Sequence, residues 1–232
     1  MKKGNIILIE GTDKSGKETQ TTKLVNRLRR NGHGCERMGF PRYDTPTGRI
    51  IGQCYLGKED LGEGDVAWFG DADSVNPKIA CGYYALDRLA AVPDMMSVIN
   101  AGRHLILDRY VESNMAHQGG KAKKTGYRKK IINDIAELEY KHYGLPMPDE
   151  VVFLYMPWEV GRELGKNSGE KPDGHESNIE HLKRAEETYL WLAKRRSWKK
   201  IDCAPDRTLD SLRDPDDIHE ELYDFVFEKI NK

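Results

Sequence analysis

Gly11-Thr12-Asp13-Lys14-Ser15-Gly16-Lys17 decides how this chain is read. It follows the apolar run Ile6-Ile7-Leu8-Ile9 and opens a helix-like stretch from Glu18 to Arg30. Gly-x-x-x-x-Gly-Lys between a strand and a helix is the setting of a phosphate-binding loop. Glycines let successive backbone N–H groups face inward as an anion nest, and the helix N-terminus adds a positive partial charge. Lys17 then reaches the terminal phosphates of a nucleotide. The expected triphosphate cradle is Gly11, Asp13, Lys14, Ser15, Gly16, Lys17, Glu18 and Thr19. It departs from the usual pattern once: Glu18 follows the lysine, and the hydroxyl arrives one place later at Thr19.

Working outward, four more short apolar runs read as strands: 34–39, 104–107, 150–156 and 199–203. Helical patterns separate them, over 77–101, 127–143, 179–196 and 216–230. Strands alternating with helices predict an α/β fold, a five-stranded parallel sheet with helices on both faces. Ligands of such sheets bind beyond the carboxyl ends of the strands, where Gly11 to Lys17, Phe40-Pro41 and Asp108-Arg109-Tyr110 all fall. Residues 58–76 are rich in Gly and Asp and read as a surface insertion. The polar stretch from Gly165 to Gly174 reads as a mobile lid, about 165–176. With no repeat and no low-complexity tract, 1–232 reads as one domain.

The 232 residues carry 37 basic and 38 acidic side chains, a net charge of −1. That balance argues against nucleic-acid and membrane surfaces as partners. No apolar run approaches the ~20 residues of a membrane span. The run after Met1-Lys2-Lys3-Gly4 is too short for a signal peptide and is needed by the fold. Cys35, Cys54, Cys81 and Cys203 form no C-x-x-C pair, so neither a zinc site nor a disulfide framework is expected. A cytoplasmic protein with reduced thiols is the consequence.

His104-Leu105-Ile106-Leu107 ends in Asp108-Arg109. An Asp at a strand tip beside a phosphate loop is placed to hold Mg²⁺ directly or through water. The adjoining Arg109 can grip a phosphate in a bidentate way. Tyr84 and Arg88 are one helical turn apart and project from one face.

The stations Glu10-Gly11-Thr12-Asp13, Phe40-Pro41, Tyr84-Ala85-Leu86-Asp87-Arg88, Asp108 to Gly119 and Pro148-Asp149 stand in one register. In order and spacing the chain resembles the thymidylate kinase family, from Ile6 to about Ala204. The resemblance implies a three-layer P-loop kinase fold with a lid, and transfer of the γ-phosphoryl of ATP to dTMP, with Mg²⁺ as cofactor. It implies that Lys17 holds ATP phosphates and that Asp13 engages the 3′-hydroxyl of the monophosphate. Arg109 grips the acceptor phosphate, and Asp108 and Thr19 support the metal. Phe40, Pro41, Tyr84, Arg88, Asn114, His117 and Gln118 line the acceptor site, with Tyr84 stacked on thymine, Arg88 on its carbonyl and Asn114 on the base edge. The family also implies a homodimer.

The resemblance bends at three places. Phe-Pro-x-Arg is the common form, but here Arg42 comes one place early and Tyr43 stands where the arginine is expected. His117 takes a position that is often Tyr or Phe and packs near C2′ of the sugar. The lid holds Lys166 and Lys171 in place of arginines, while Lys14 lies inside the loop itself, where some members carry the transition-state cation. Lys14 is therefore the expected main cation, assisted by the lid lysines. Two other readings compete: a kinase for another, modified deoxynucleoside monophosphate, and a non-catalytic P-loop protein that binds nucleotide as a switch.

Overall fold

The computed structural model describes residues 2–58, 69–168 and 178–231. Strand β1 (Ile6–Gly11) is buried along its whole length, as a continuous apolar run in the middle of a parallel sheet must be. It pairs in parallel with β3 (His104–Asp108) on one side and β4 (Glu150–Tyr155) on the other. Outside these lie β2 (Cys35–Gly39) and β5 (Lys199–Asp202), giving the order β2-β3-β1-β4-β5. The expected five-stranded parallel sheet is thus the one found, with strand boundaries within two residues of those read from the sequence.

Helices cover both faces. One core layer packs α1 (Lys17–Arg30) and α8 (Pro215–Ile230) on the sheet through Leu24, Leu28, Leu222 and Val226. The other holds α3 (Pro77–Asn100), α4 (Val111–Gly120), α5 (Thr125–Ala136) and α7 (Ile179–Arg195), around Met95, Met115, Ile132 and Tyr189. The remaining helices are α2 (Pro46–Arg49) and α6 (Trp158–Ser168). The helix expected over 127–143 divides: α5 ends at Ala136 and a π-helical segment, Glu137–His142, continues it. The wider turn brings Glu139 to full burial.

Residues 69–76 lie largely at the surface, with Gly70, Asp71, Ser74 and Asn76 exposed, but are anchored to the core: Ala72 is buried, its carbonyl accepts from Tyr55 Oη at 3.2 Å, and the Phe69 ring lies 5.0 Å from the Tyr83 ring. The first residues of the expected lid, 165–168, are the last turn of α6. Residues 169–177, and with them Lys171, lie outside the described residues.

Candidate active site

The loop that ends β1 turns through two left-handed residues, Lys14 (φ 58°) and Gly16 (φ 75°). Gly16 adopts this region freely, whereas a lysine there stores backbone strain of the kind found at functional sites. Arg109, across the loop, is left-handed too (φ 62°). The loop is pinned from behind by Thr12, whose Oγ1 donates to the Met156 carbonyl at 2.6 Å and accepts from its N–H at 2.8 Å. Helix α6 closes on the loop tip because Gly161 has no side chain: a Cβ there would stand 2.8 Å from the Asp13 carbonyl.

Lys17 is buried, and Nζ donates to the Thr12 carbonyl at 2.8 Å. Burial, reinforced by the neighbouring Arg109 charge, pulls its pKa down to about 8. The carboxylates of Asp13, Asp108 and Glu10 offset only part of that shift. Thr19 and Glu18 are exposed on the first turn of α1. Both line a broad cavity together with Lys14, Ser15, Gly16 and Lys17.

The far wall of that cavity carries Arg37, Arg42, Asp108 and Arg109. Three arginines and two lysines thus converge on one hollow, a field suited to phosphates. Asp108 Oδ2 accepts from Arg37 Nη2 at 2.8 Å and lies 3.5 Å from Thr21 Oγ1. Arg37, in the middle of β2, was not singled out in the sequence: nothing in a short, weakly apolar strand distinguishes it from Arg29 or Arg30. Arg42 lies in the same wall but turns its Nη1 to Asp94 at 3.2 Å, leaving a buried Nε unpartnered. Asp87 holds this loop in place by accepting from Arg42 N at 2.9 Å and Thr47 Oγ1 at 2.6 Å.

Arg109 Nη2 donates to Asp13 Oδ1 at 3.1 Å. Burial opposes a charge on Asp13, but Arg109, His117 and Lys17 outweigh it and hold the carboxyl well below the ordinary carboxylate range. Asp13 is therefore an anion, and Arg109 a cation, at any physiological pH.

A second, narrower cavity adjoins the first and shares Phe40, Pro41, Tyr43 and Arg109 with it. It gathers Tyr84, Arg88, Asn114, His117 and Gln118, every acceptor-site residue that the sequence nominated besides Arg42. Three of these ride on α4, a helix almost wholly withdrawn from solvent. Its first turn is held by Glu10 of β1, a buried carboxylate that accepts from Tyr110 N and Ser113 N, both at 3.0 Å. Ser113 Oγ and Tyr189 Oη complete its shell at 2.7 and 3.1 Å. Burial raises the Glu10 pKa, and the nearby Arg109 charge offsets part of the shift. Glu10 thus acts as a helix cap supplied from a neighbouring strand, favourable to the N-terminal end of the α4 dipole.

Arg88 Nε and Nη2 donate to the two oxygens of Glu139 at 2.5 and 2.8 Å, and Asn114 Nδ2 donates to Glu139 Oε1 at 2.9 Å. This fixes the planes of both side chains and leaves Asn114 Oδ1 buried without a partner. Asn114 also lines the second cavity, and an orphan buried amide oxygen calls for a donor. Glu139 was missed in the sequence, where it read as one more polar residue of a helix.

Lys166 and Lys14 line a third hollow between α6, α7 and the loop tip, again with Asp13 and His117 in its wall. The residues expected to hold a triphosphate, an acceptor phosphate and a base are therefore contiguous, with Asp13 and Arg109 at the junction. A phosphate loop beside a pocket with its own arginine and a buried amide is the arrangement of a P-loop phosphotransferase acting on a nucleotide acceptor. The profile of the thymidylate kinase family matches residues 9–209. Over 98% of its length the chain is 28% identical to a thymidylate kinase of Danio rerio, of which it covers 95%. It is 29% identical to one of Mycobacterium tuberculosis, with 91% and 98% of the two chains covered. The solved thymidylate kinase structure of Candida albicans superposes with a TM-score of 0.67 at 22% identity, covering 98% of this chain and 92% of that one. The chain belongs to the thymidylate kinase family.

Proposed function

We propose that the enzyme transfers the γ-phosphoryl group of ATP to dTMP, giving ADP and dTDP. One observation supports this beyond family membership: Asn114, whose buried Oδ1 has no partner, and Arg109 line the same cavity. Thymine offers N3–H as the donor that Oδ1 lacks, and carbonyl oxygens for a guanidinium such as Arg88. Tyr84 supplies a ring for stacking, while Arg109 meets the phosphate.

The reaction is in-line attack by a dTMP phosphate oxygen on the γ-phosphorus, with ADP leaving. No protein base is needed, because the acceptor phosphate is ionised at neutral pH. Lys17 and the loop N–H groups hold the donor, Arg109 and Asp13 orient the acceptor, and Lys14 meets charge on the phosphoryl group in transit. Lys166 and Lys171 assist from the lid. Asp108 and the exposed Thr19 hydroxyl, which line one cavity, would hold a Mg²⁺, and that ion would neutralise phosphate charge.

We place the enzyme in the cytoplasm, a setting that suits four unpaired thiols. No helix among the described residues is long and apolar enough to cross a membrane. A homodimer is supported by Ile79 and Leu86, exposed at 52% and 47% and two turns apart on α3. A coupled assay of ADP release against ribo- and deoxynucleoside monophosphates tests the reaction: dTMP is expected to be among the best acceptors. ATP binding by calorimetry with no dTMP turnover would leave a nucleotide-binding switch in its place.

A further inference from the structure

From the middle of β2 the guanidinium of Arg37 reaches α1 and the end of β3. Nε donates to Thr21 Oγ1 at 3.1 Å, and Nη2 donates to Asp108 Oδ2 at 2.8 Å. Nη2 also lies 3.7 Å from Glu18 Oε1, on the first turn of α1. Thr21 is itself fastened to that helix, donating to the Lys17 carbonyl at 2.8 Å. Among the described residues nothing bonds to Nη1. The Arg37 side chain is 32% exposed and lines the phosphate cavity.

A guanidinium held at Nε and Nη2 has its plane fixed, so Nη1 is offered to an anion with little further loss of side-chain freedom. The contacts of Arg37 run to the helix that the loop opens. It lines the cavity of Ser15, Gly16 and Lys17, and it is absent from the lining of the acceptor cavity, where Arg109 stands. The phosphates within its reach are therefore those of the donor.

Glu18 gives this cation a second task. A phosphate loop ordinarily has Ser or Thr after its lysine, a neutral hydroxyl beside the phosphates. Here a carboxylate takes that place, and Asp108 supplies another in the same cavity. Both repel a triphosphate. Arg37 pairs with both.

We infer that Arg37 is a phosphate-binding residue of the donor site, presenting Nη1 to the triphosphate and offsetting the carboxylate that Glu18 brings into the loop. This rests on the loop being the ATP site. The cradle thus draws one of its cations from β2, a strand outside the loop motif.

Calorimetry of the full chain with ATP, and separately with dTMP, tests both halves. EDTA is present, so that no metal masks Asp108 or Glu18. Arg37→Met is expected to weaken ATP binding about ten-fold, the scale of one charge-assisted hydrogen bond, and dTMP binding by less than about two-fold. Arg37→Gln can still donate to Asp108 but carries no charge. It replaces Arg37→Met, with the same expectation, if loss of that donor prevents folding. Glu18→Ser is expected to tighten ATP binding about three-fold more in the Arg37→Met background than in the parent, because the carboxylate there is unopposed. ATP affinity within about two-fold of the parent in the Arg37 variants overturns the inference, and so do losses for dTMP as large as those for ATP. An equal effect of Glu18→Ser in both backgrounds overturns the offset. A parent that binds no ATP overturns the inference together with the proposed function.

Discussion

Arg88 and Glu139 form a two-pronged pair, Nε and Nη2 donating to both carboxylate oxygens at 2.5 and 2.8 Å, with both side chains sealed from solvent. The pair belongs to the acceptor cavity and to the core at once. Glu139→Ala would strand a guanidinium in the interior and free Asn114 Nδ2 as well. Breaking one side of a buried pair typically costs 3–5 kcal/mol, so a loss of about that size is expected in urea unfolding. Affinity for dTMP should fall further than affinity for ATP in calorimetry. An unchanged unfolding midpoint would contradict the arrangement.

Lys17 illustrates a stability cost kept for function. Its pKa in the ligand-free fold is about 8, against 10.5 for the free side chain. Between those values the unfolded chain holds a proton that the folded chain has released, so this group makes the fold more stable as pH rises through the window. Below pH 8 the whole cost of burying the ammonium is present. Lys17→Met is accordingly expected to stabilise the ligand-free protein by about 1–3 kcal/mol at pH 7, a difference that shrinks toward pH 10.5. The same variant should show no turnover. Urea unfolding at pH 7 and pH 10, with an ADP-release assay, checks both halves.

Periodicity carried the fold: the apolar runs of β1, β3 and β4 and the long patterns of α3 and α8 lie within two residues of where the sequence places them. Phosphate-side groups were equally legible, because Gly16, Lys17 and Arg109 are tied to a strand end by short spacing. What escaped was long-range. Glu10 and Glu139 are carboxylates whose partners lie 100 and 51 residues away, and no local pattern marks a glutamate for burial. Helix α4 escaped as an element because it is buried on nearly every side and so lacks an apolar stripe. Asp73 and His181 meet only through the packing of a segment read as a surface insertion against one read as a helix.

Glu112, on the same helix, is a buried carboxyl with one oxygen unpartnered. Burial lifts its pKa to about 7, a shift eased by the Tyr140 hydroxyl at 2.8 Å and reinforced by Glu10. Its folded pKa exceeds the free value of 4.5, so the fold keeps a proton that the unfolded chain loses between pH 4.5 and 7, and stability falls across that window. Glu112→Gln should match the parent near pH 4.5 and exceed it by about 1–3 kcal/mol at pH 8. Thermal unfolding at the two pH values decides; a variant less stable than the parent at pH 8 would show that the contact of Arg196 with the carboxylate outweighs its burial.

Arg109 separates donor from acceptor. Arg109 lines both cavities, but its bonded partner Asp13 lines the acceptor cavity and not the phosphate one. Arg109→Ala is expected to weaken dTMP binding by about 2–5 kcal/mol, the scale for losing one partner of a buried charge pair, and ATP binding by much less. Equal losses for both nucleotides would remove Arg109 from the acceptor site.

Lys14 is the sharpest test of how charge is met in the transition state. It holds a left-handed backbone (φ 58°) in the loop and lines the phosphate cavity as well as the hollow under α6. A Cβ on Gly165 would stand 3.3 Å from its Cε, so α6 runs directly alongside the lysine stem. A cation placed there meets the phosphoryl group best once it has left ADP, not while it is still bound in ATP. Interactions that strengthen only in the transition state raise kcat without tightening substrate binding. Lys14→Ala is therefore expected to lower kcat by about 100-fold or more while KM for ATP changes by less than about 5-fold. Lys14→Gly tests the backbone separately: it removes the same ammonium but relieves the left-handed strain, so it should be more stable than Lys14→Ala and equally slow. Full kcat in both variants would move the catalytic cation to the lid lysines.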